Sequence, residues 1–203
     1  MEPREHWRQV YEAKRPDEVS WFQASPAPSL DALDRLGAGP AKSLVDVGAG
    51  AATLADALLD RGWSDLTLVD VSEPALEASR QRLGERAGKV NWEVADIRHW
   101  RPDRTFDVWH DRAVFHFLTE AAGRTGYKRA LAEGTRPGSH VVLATFAPDG
   151  PEQCSGLPVQ RYDAAALAAE LGGAFRMIDH WRETHVTPWG SEQSFQWCVF
   201  EKL

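Results

Sequence analysis

Two glycines and two acids carry the first chemical signal in this chain. Residues 44–50 read Leu-Val-Asp-Val-Gly-Ala-Gly, and residues 66–70 read Leu-Thr-Leu-Val-Asp. Glycines at a strand-to-helix turn let a ligand approach the backbone closely, because no Cβ intervenes. A lone carboxylate at the tip of the next strand, Asp70, can accept hydrogen bonds from both hydroxyls of a ribose. The dinucleotide fingerprint G-x-G-x-x-G, counted from Gly48, needs a glycine at position 53, where the chain has Thr53. No phosphate-binding loop of the G-x-x-x-x-G-K-S/T form occurs, which argues against nucleoside triphosphate hydrolysis. Asp46 lies two residues before the first glycine, and a carboxylate buried there needs partners, either a cationic ligand or backbone amides.

A second set of reactive side chains lies downstream, in His110-Asp111-Arg112-Ala113-Val114-Phe115-His116-Phe117-Leu118. It follows an apolar strand, at the edge where open α/β sheets bind ligands. His110 and His116 are candidate bases, with Asp111 placed to orient either. Arg112 suits an anionic substrate or an ion pair with Asp111 or Asp107. A further wall runs from Phe146 through Cys154 to Tyr162, and Cys154 could touch a thiophilic substrate. Cys154 has no histidine or second cysteine at metal spacing, and His180 and His185 lie five apart in a strand, on opposite faces. No metal is implied.

These residues need elements to position them. A helix is expected over residues 3–14 (Trp7, Val10 and Tyr11 at i, i+3, i+4), then a loop with Trp21 and Phe22, then a helix capped by Ser29 that carries Leu30, Leu33 and Leu36. From residue 43 strands and helices alternate. Strands are expected at Ser43–Val47, Leu66–Val69, Lys89–Val94, Thr105–Trp109 and Ser139–Phe146. Helices are expected at Thr53–Asp60, at Glu73–Ala87 with Ser72 as its cap, near Arg124–Gly134 and at Arg161–Leu171. Ala174–Thr184 and Ser194–Lys202 read as two long strands joined by a turn. The pattern predicts an α/β fold: a Rossmann-like, seven-stranded, mostly parallel sheet with an antiparallel C-terminal hairpin and helices on both faces.

At 203 residues the chain has room for one such domain and little more. We expect residues 1–203 to form a single domain, with 1–40 as a helical lid and first helix and 41–203 as the core. A net charge of −7 argues against a general nucleic-acid or anionic-membrane binder, which needs a basic stripe. Cys154 and Cys198 cannot form a disulfide framework and suit a reducing cytosol. The charged start lacks an apolar signal core, and no apolar run is long enough to span a membrane. A cytoplasmic location is the expectation.

Taken together, the motifs resemble those of class I S-adenosylmethionine (SAM)-dependent methyltransferases. Val45-Asp46-Val47-Gly48-Ala49-Gly50 matches their first motif, D-x-G-x-G-x-G, with Ala52 in place of the third glycine. Asp70 matches the ribose-binding acid, Val94-Ala95-Asp96-Ile97 the third motif, Thr105–Trp109 the fourth strand and Arg136-Pro137-Gly138-Ser139 the turn before the fifth. The resemblance implies SAM as donor and S-adenosylhomocysteine (SAH) as product. It places Trp7, Tyr11, Trp21, Asp46, Gly48, Ala49, Gly50, Asp70, Val71, Asp96, Ile97 and His110 at the cofactor. Asp111, Arg112 and His116 become catalytic candidates, and Phe22, Phe115, Phe146 and Cys154 the substrate wall. Asp111-Arg112-Ala113 resembles the Asp-Arg-Gly/Ala segment of thiopurine methyltransferase-like enzymes, and also the Asp-Lys-Gly segment of lysine methyltransferases that act on elongation factors. The first likeness implies a small acceptor, a thiol or other soft nucleophile. The second implies a protein lysine. A SAM-binding interaction protein without turnover is the alternative outside enzymology.

Overall fold

The computed structural model describes residues 3–203. Helix α1 (Pro3–Ala13) and helix α2 (Ala27–Arg35) precede the sheet. Strand β1 (Leu44–Val47), helix α3 (Leu54–Asp60), strand β2 (Leu66–Asp70), helix α4 (Glu73–Leu83) and strand β3 (Val90–Val94) form the first half. Strand β4 (Phe106–Arg112), helix α5 (Ala121–Glu133) and strand β5 (Thr135–Phe146) follow. A short hairpin, β6 (Gln153–Cys154) and β7 (Leu157–Pro158), leads to helix α6 (Ala164–Leu171) and the long hairpin β8 (Phe175–Val186) and β9 (Glu192–Lys202).

Seven strands make one sheet in the order β3-β2-β1-β4-β5-β9-β8, in which β9 runs antiparallel to both β5 and β8 and the other pairs are parallel. The expected architecture is therefore present. Every residue of β1 and β2 is buried, as parallel strands covered on both faces must be. Tyr127, Ala130 and Leu131 of α5 and Leu167 and Leu171 of α6 pack on one face with Val45, Trp109, Val141 and Leu143. On the other face α3 and α4 meet Leu44, Leu66, Leu68 and Val108, while Ala32 of α2 meets Val142, Ala144, Phe195 and Trp197.

Several boundaries differ from expectation, each for a local reason. Ser29 does not cap α2. The helix starts at Ala27 after Pro26, and the Ser29 hydroxyl lies 3.0 Å from Nε2 of His110. Helix α4 stops at Leu83 because Gly84 takes φ +57, and a 3-10 turn covers Gly84–Lys89. Helix α5 begins at Ala121, earlier than Arg124, and α6 begins only at Ala164, where Asp163 accepts the Ala166 N–H at 2.8 Å. Strand β5 already pairs with β4 at Thr135, then makes an excursion through Pro137-Gly138 before pairing again at His140. The hairpin β6–β7 carries no alternating pattern and is visible only in the fold. No helix among the described residues is long and apolar enough to cross a membrane.

Candidate functional site

The ends of β1, β2, β3 and β4 open on one cavity of about 590 Å³, within the range of small-molecule sites. The turn after β1 forms its floor. Gly48 and Gly50 take φ +69 and +51, a region that side chains rarely adopt. A Cβ on Gly48 would stand 2.0 Å from Cγ2 of Val114, and one on Gly50 would stand 2.6 Å from the Tyr11 hydroxyl. The turn is also held from beneath. Ser79 donates to the Gly50 carbonyl at 2.9 Å, and Arg82 donates to the carbonyls of Ala51 and Ala52 while pairing with Asp56. Ser79 and Arg82 have no motif of their own; their spacing of three along α4 was the only available signal.

Asp70 is 8% exposed and accepts N–H bonds from Gly50 at 2.9 Å and Ser72 at 2.7 Å. Burial pushes its pKa up to about 6 against the pull of those amides. Val71, Asp96 and Ile97 continue the wall. The Asp96 carboxylate is already engaged by Arg98, which donates from Nε and Nη2 and from its own backbone N–H. Burial raises the Asp96 pKa, but the Arg98 bonds prevail and leave it below the ordinary carboxylate range.

Asp46 finds its partner in His110, whose Nδ1 lies 2.7 Å away, and Nε2 of His110 meets Ser29. All three are buried. This chain ties α2 to the strand beneath the glycine turn. Asp46, His110, Ala49 and Phe22 line a side recess of about 70 Å³ that shares Tyr11, Trp21, Gly48 and Arg112 with the main cavity.

Aromatic residues of the N-terminal segment form the roof. Trp7 packs edge-on against Trp21 at 5.5 Å and Phe117 at 5.1 Å, and the Trp21 indole N–H donates to the Tyr11 hydroxyl at 3.3 Å. His6 also lines the cavity. One of its nitrogens engages the Ser155 backbone, its Nε2 is buried without a partner, and burial lowers its pKa. The His6-Trp7 pair at the start of the chain was legible as part of the N-terminal segment over the cofactor, whereas a role for the His6 ring as a base was not.

The expected catalytic stretch divides. Asp111 is fully buried, accepts the Tyr127 hydroxyl at 2.8 Å and the Val114 N–H at 2.9 Å, and contacts neither histidine nor Arg112. Burial raises its pKa to about 6. It braces the turn at Ala113, a residue held at φ +72, rather than facing the cavity. His116 is not placed as a base either. Its Nδ1 accepts the Phe146 N–H at 3.1 Å, so the ring proton sits on Nε2. Burial, with help from the Arg112 charge, holds its pKa down at about 3. Phe115 and Phe146 are fully buried in the cores, Phe115 against Tyr127 and Phe146 against Phe195, and neither lines the cavity. Phe117, Leu157 and Pro158 occupy the wall instead, beside Arg112 and Cys154. Arg112 forms no ion pair with Asp111 or Asp107; Asp107 pairs with Arg136. Cys154 is buried 3.8 Å from the Ser20 hydroxyl, and burial pushes its thiol up to about 11.

Residues 44–138 match the model of a methyltransferase-domain family. Nodulation protein S of Rhizobium fredii is 30% identical over 80 residues, covering 39% of this chain and 45% of that protein. The chain therefore matches less than half the length of that relative. A SAM-dependent methyltransferase from Anabaena variabilis ATCC 29413 superposes with a TM-score of 0.78 at 15% identity, over 100% of this chain and 96% of that one. A structure concerned with conversion of a disulfide bond into a thioacetal group during echinomycin biosynthesis superposes with a TM-score of 0.77 at 20% identity, over 98% and 92%. The resemblance stated from the motifs is borne out at the level of the fold.

Proposed function

We propose that this chain, a class I methyltransferase by its fold and its match over residues 44–138, transfers a methyl group from SAM to a small-molecule acceptor. One observation carries the proposal. A single roofed cavity joins the acids at the tips of β2 and β3 to Arg112 and Cys154 at the far side of β4.

The residues present fit the cofactor. Gly48 lines both the cavity and its side recess, and the positive φ of Gly48 and Gly50 lets Val114 and Tyr11 close tightly on the turn. Asp70 keeps carboxylate lone pairs beyond its two amide bonds for a pair of ribose hydroxyls. Ile97 and the Asp96–Arg98 pair form the wall for adenine, and the recess at Ala49 takes the amino acid end. Bound SAM supplies an electrophilic methyl on a sulfonium. The chain's own work is alignment and exclusion of water, which can lower a bimolecular barrier by several kcal/mol. Trp7, Tyr11 and Trp21 act as the lid of residues 1–40 over the single domain of 1–203.

His116 has spent its Nδ1 lone pair on the Phe146 amide, and Asp111 is fully buried away from the cavity wall. A thiol or other soft nucleophile, which needs little more than alignment, therefore suits the site best. The similar structure from echinomycin biosynthesis, where sulfur chemistry is the subject, supports the same direction. For an acceptor that must lose a proton, His6, with its unpartnered Nε2, is a candidate base among the residues that line the cavity. The test is SAH release from SAM with panels of thiols, amines, carboxylates and hydroxyls beside a proteome extract. Turnover of small thiols is the expected result. Product from the extract alone would move the acceptor to a protein, and SAM binding without any product would make the chain a binding protein.

A further inference from the structure

Most arginines of the described residues pair with a carboxylate near the surface, as Arg61 does with Asp34 and Arg104 with Asp65. Arg112 pairs with none. Its guanidinium lies 4.7 Å from the ring centroid of Phe195 and donates from Nη1 to the Trp21 carbonyl at 3.1 Å. Its Nε and Nη2 are buried without any partner. A guanidinium carries five N–H donors and stays charged under ordinary conditions. Burial brings its pKa to about 10, which still leaves it cationic at neutral pH. The Glu183 charge acts on Arg112, but the two form no ion pair, and a buried charge that no carboxylate grips directly is expensive for a fold to keep.

Its place in the sheet says which ligand. Asp96 follows β3 and Asp70 ends β2, whereas Arg112 ends β4 opposite Ala144 of β5 and rests on Phe195 of β9. Three strand spacings separate β3 from β4, about 14 Å, so Arg112 stands beyond the adenosine end, on the wall between the side recess at Ala49 and the part of the main cavity lined by Cys154 and Phe117.

We propose that Arg112 is the anion anchor of the acceptor subsite, so that the methyl acceptor carries a carboxylate or similar planar anion gripped by the guanidinium fork. The proposal rests on the methyltransferase reading above. Such a pair is bidentate and charge-assisted, which fixes the acceptor's orientation as well as its affinity.

The test uses the full chain loaded with SAH and calorimetry with matched probes: 4-aminobenzoate against 4-aminobenzamide, and 3-mercaptopropionate against its amide. Each acid should bind at least tenfold tighter than its amide. The preference should vanish in Arg112→Gln and survive in part in Arg112→Lys. SAH affinity should change less than threefold in both variants, and the melting temperature of Arg112→Gln should hold or rise. Equal binding of acids and amides, or binding of neither, overturns the proposal. A tenfold loss of SAH affinity in Arg112→Gln also overturns it, because the guanidinium then serves the cofactor's own carboxylate. Absence of SAH binding in the unaltered protein is read before any probe is added, and it sinks the methyltransferase reading together with this one.

Discussion

Replacing Asp70 with asparagine separates what this carboxylate does for the fold from what it does for the ligand. In the free protein it is buried, beside Asp46, with a pKa of about 6 against an ordinary value of 3.8. A folded-state pKa raised above the unfolded one means that the folded state holds the proton longer. The contribution of this one group to stability is therefore largest below pH 4, falls as pH rises from about 4 to 6, and is lower by about 3 kcal/mol above that window. Asp70→Asn removes this slope. It also replaces one of two acceptors, so either the Gly50 or the Ser72 N–H loses its partner, at a cost of about 1–2 kcal/mol. The two effects offset, and thermal stability at pH 7 should stay close to that of the parent. Ligand affinity should not. Two charge-assisted bonds to ribose hydroxyls become one neutral bond, a loss of about 2–4 kcal/mol, or about 30- to 1,000-fold in Kd. Calorimetric titration with SAH, paired with melting curves from pH 4 to 8, measures both. Parent affinity should weaken as pH drops below 6, where the carboxylate protonates, and this dependence should be absent in the variant. An Asp70→Asn Kd within threefold of the parent would refute the assignment, and an unchanged stability slope would refute the raised pKa.

Gly48→Ala forces a Cβ to within 2.0 Å of Val114 Cγ2 at φ +69, and should cost about 3 kcal/mol or more together with SAH binding. Adding Val114→Ala should recover part of the melting temperature, and no recovery would show that the clash is not the cause. Tyr127→Phe leaves the buried Asp111 carboxylate without its 2.8 Å donor and should lower stability by about 1.5–3 kcal/mol in denaturant titration, with m unchanged. With an amine acceptor, the rate profile between pH 5 and 8 should keep its shape in His116→Asn and lose its acid limb in His6→Gln. The reverse result would return the base to His116.

The glycine turn and the acids after β1, β2 and β3 were legible because their roles are local. A positive φ demands glycine, and a strand end fixes the position of the next residue, so Gly48, Gly50, Asp70 and Asp96 could be read in order along the chain. The alternation of buried strands and capped helices made the sheet legible for the same reason. Roles that depend on facing partners were not legible. Asp111, His116, Phe115 and Phe146 have the residue types of a site and the right distance from β4. Strand alternation and the Ala113 turn send them inward, to Tyr127, to the Phe146 amide and to the cores. His6 reaches the cavity only because the N-terminal segment folds across it, and there it meets Cys154, Leu157 and Pro158 of the β6–β7 hairpin, about 150 residues away in the chain.

By itself, then, the sequence determined the sheet, the glycine turn and the acids along its edge, since backbone conformation and hydrophobic periodicity are written residue by residue. Only tertiary structure decided which of the polar groups after β4 face a ligand and which brace the fold. A hydrogen bond between residues as distant as Asp46 and His110, or the solitude of Arg112 over Phe195, arises from packing across strands. That packing left Arg112 unpaired at the acceptor end and turned the expected bases into structural members.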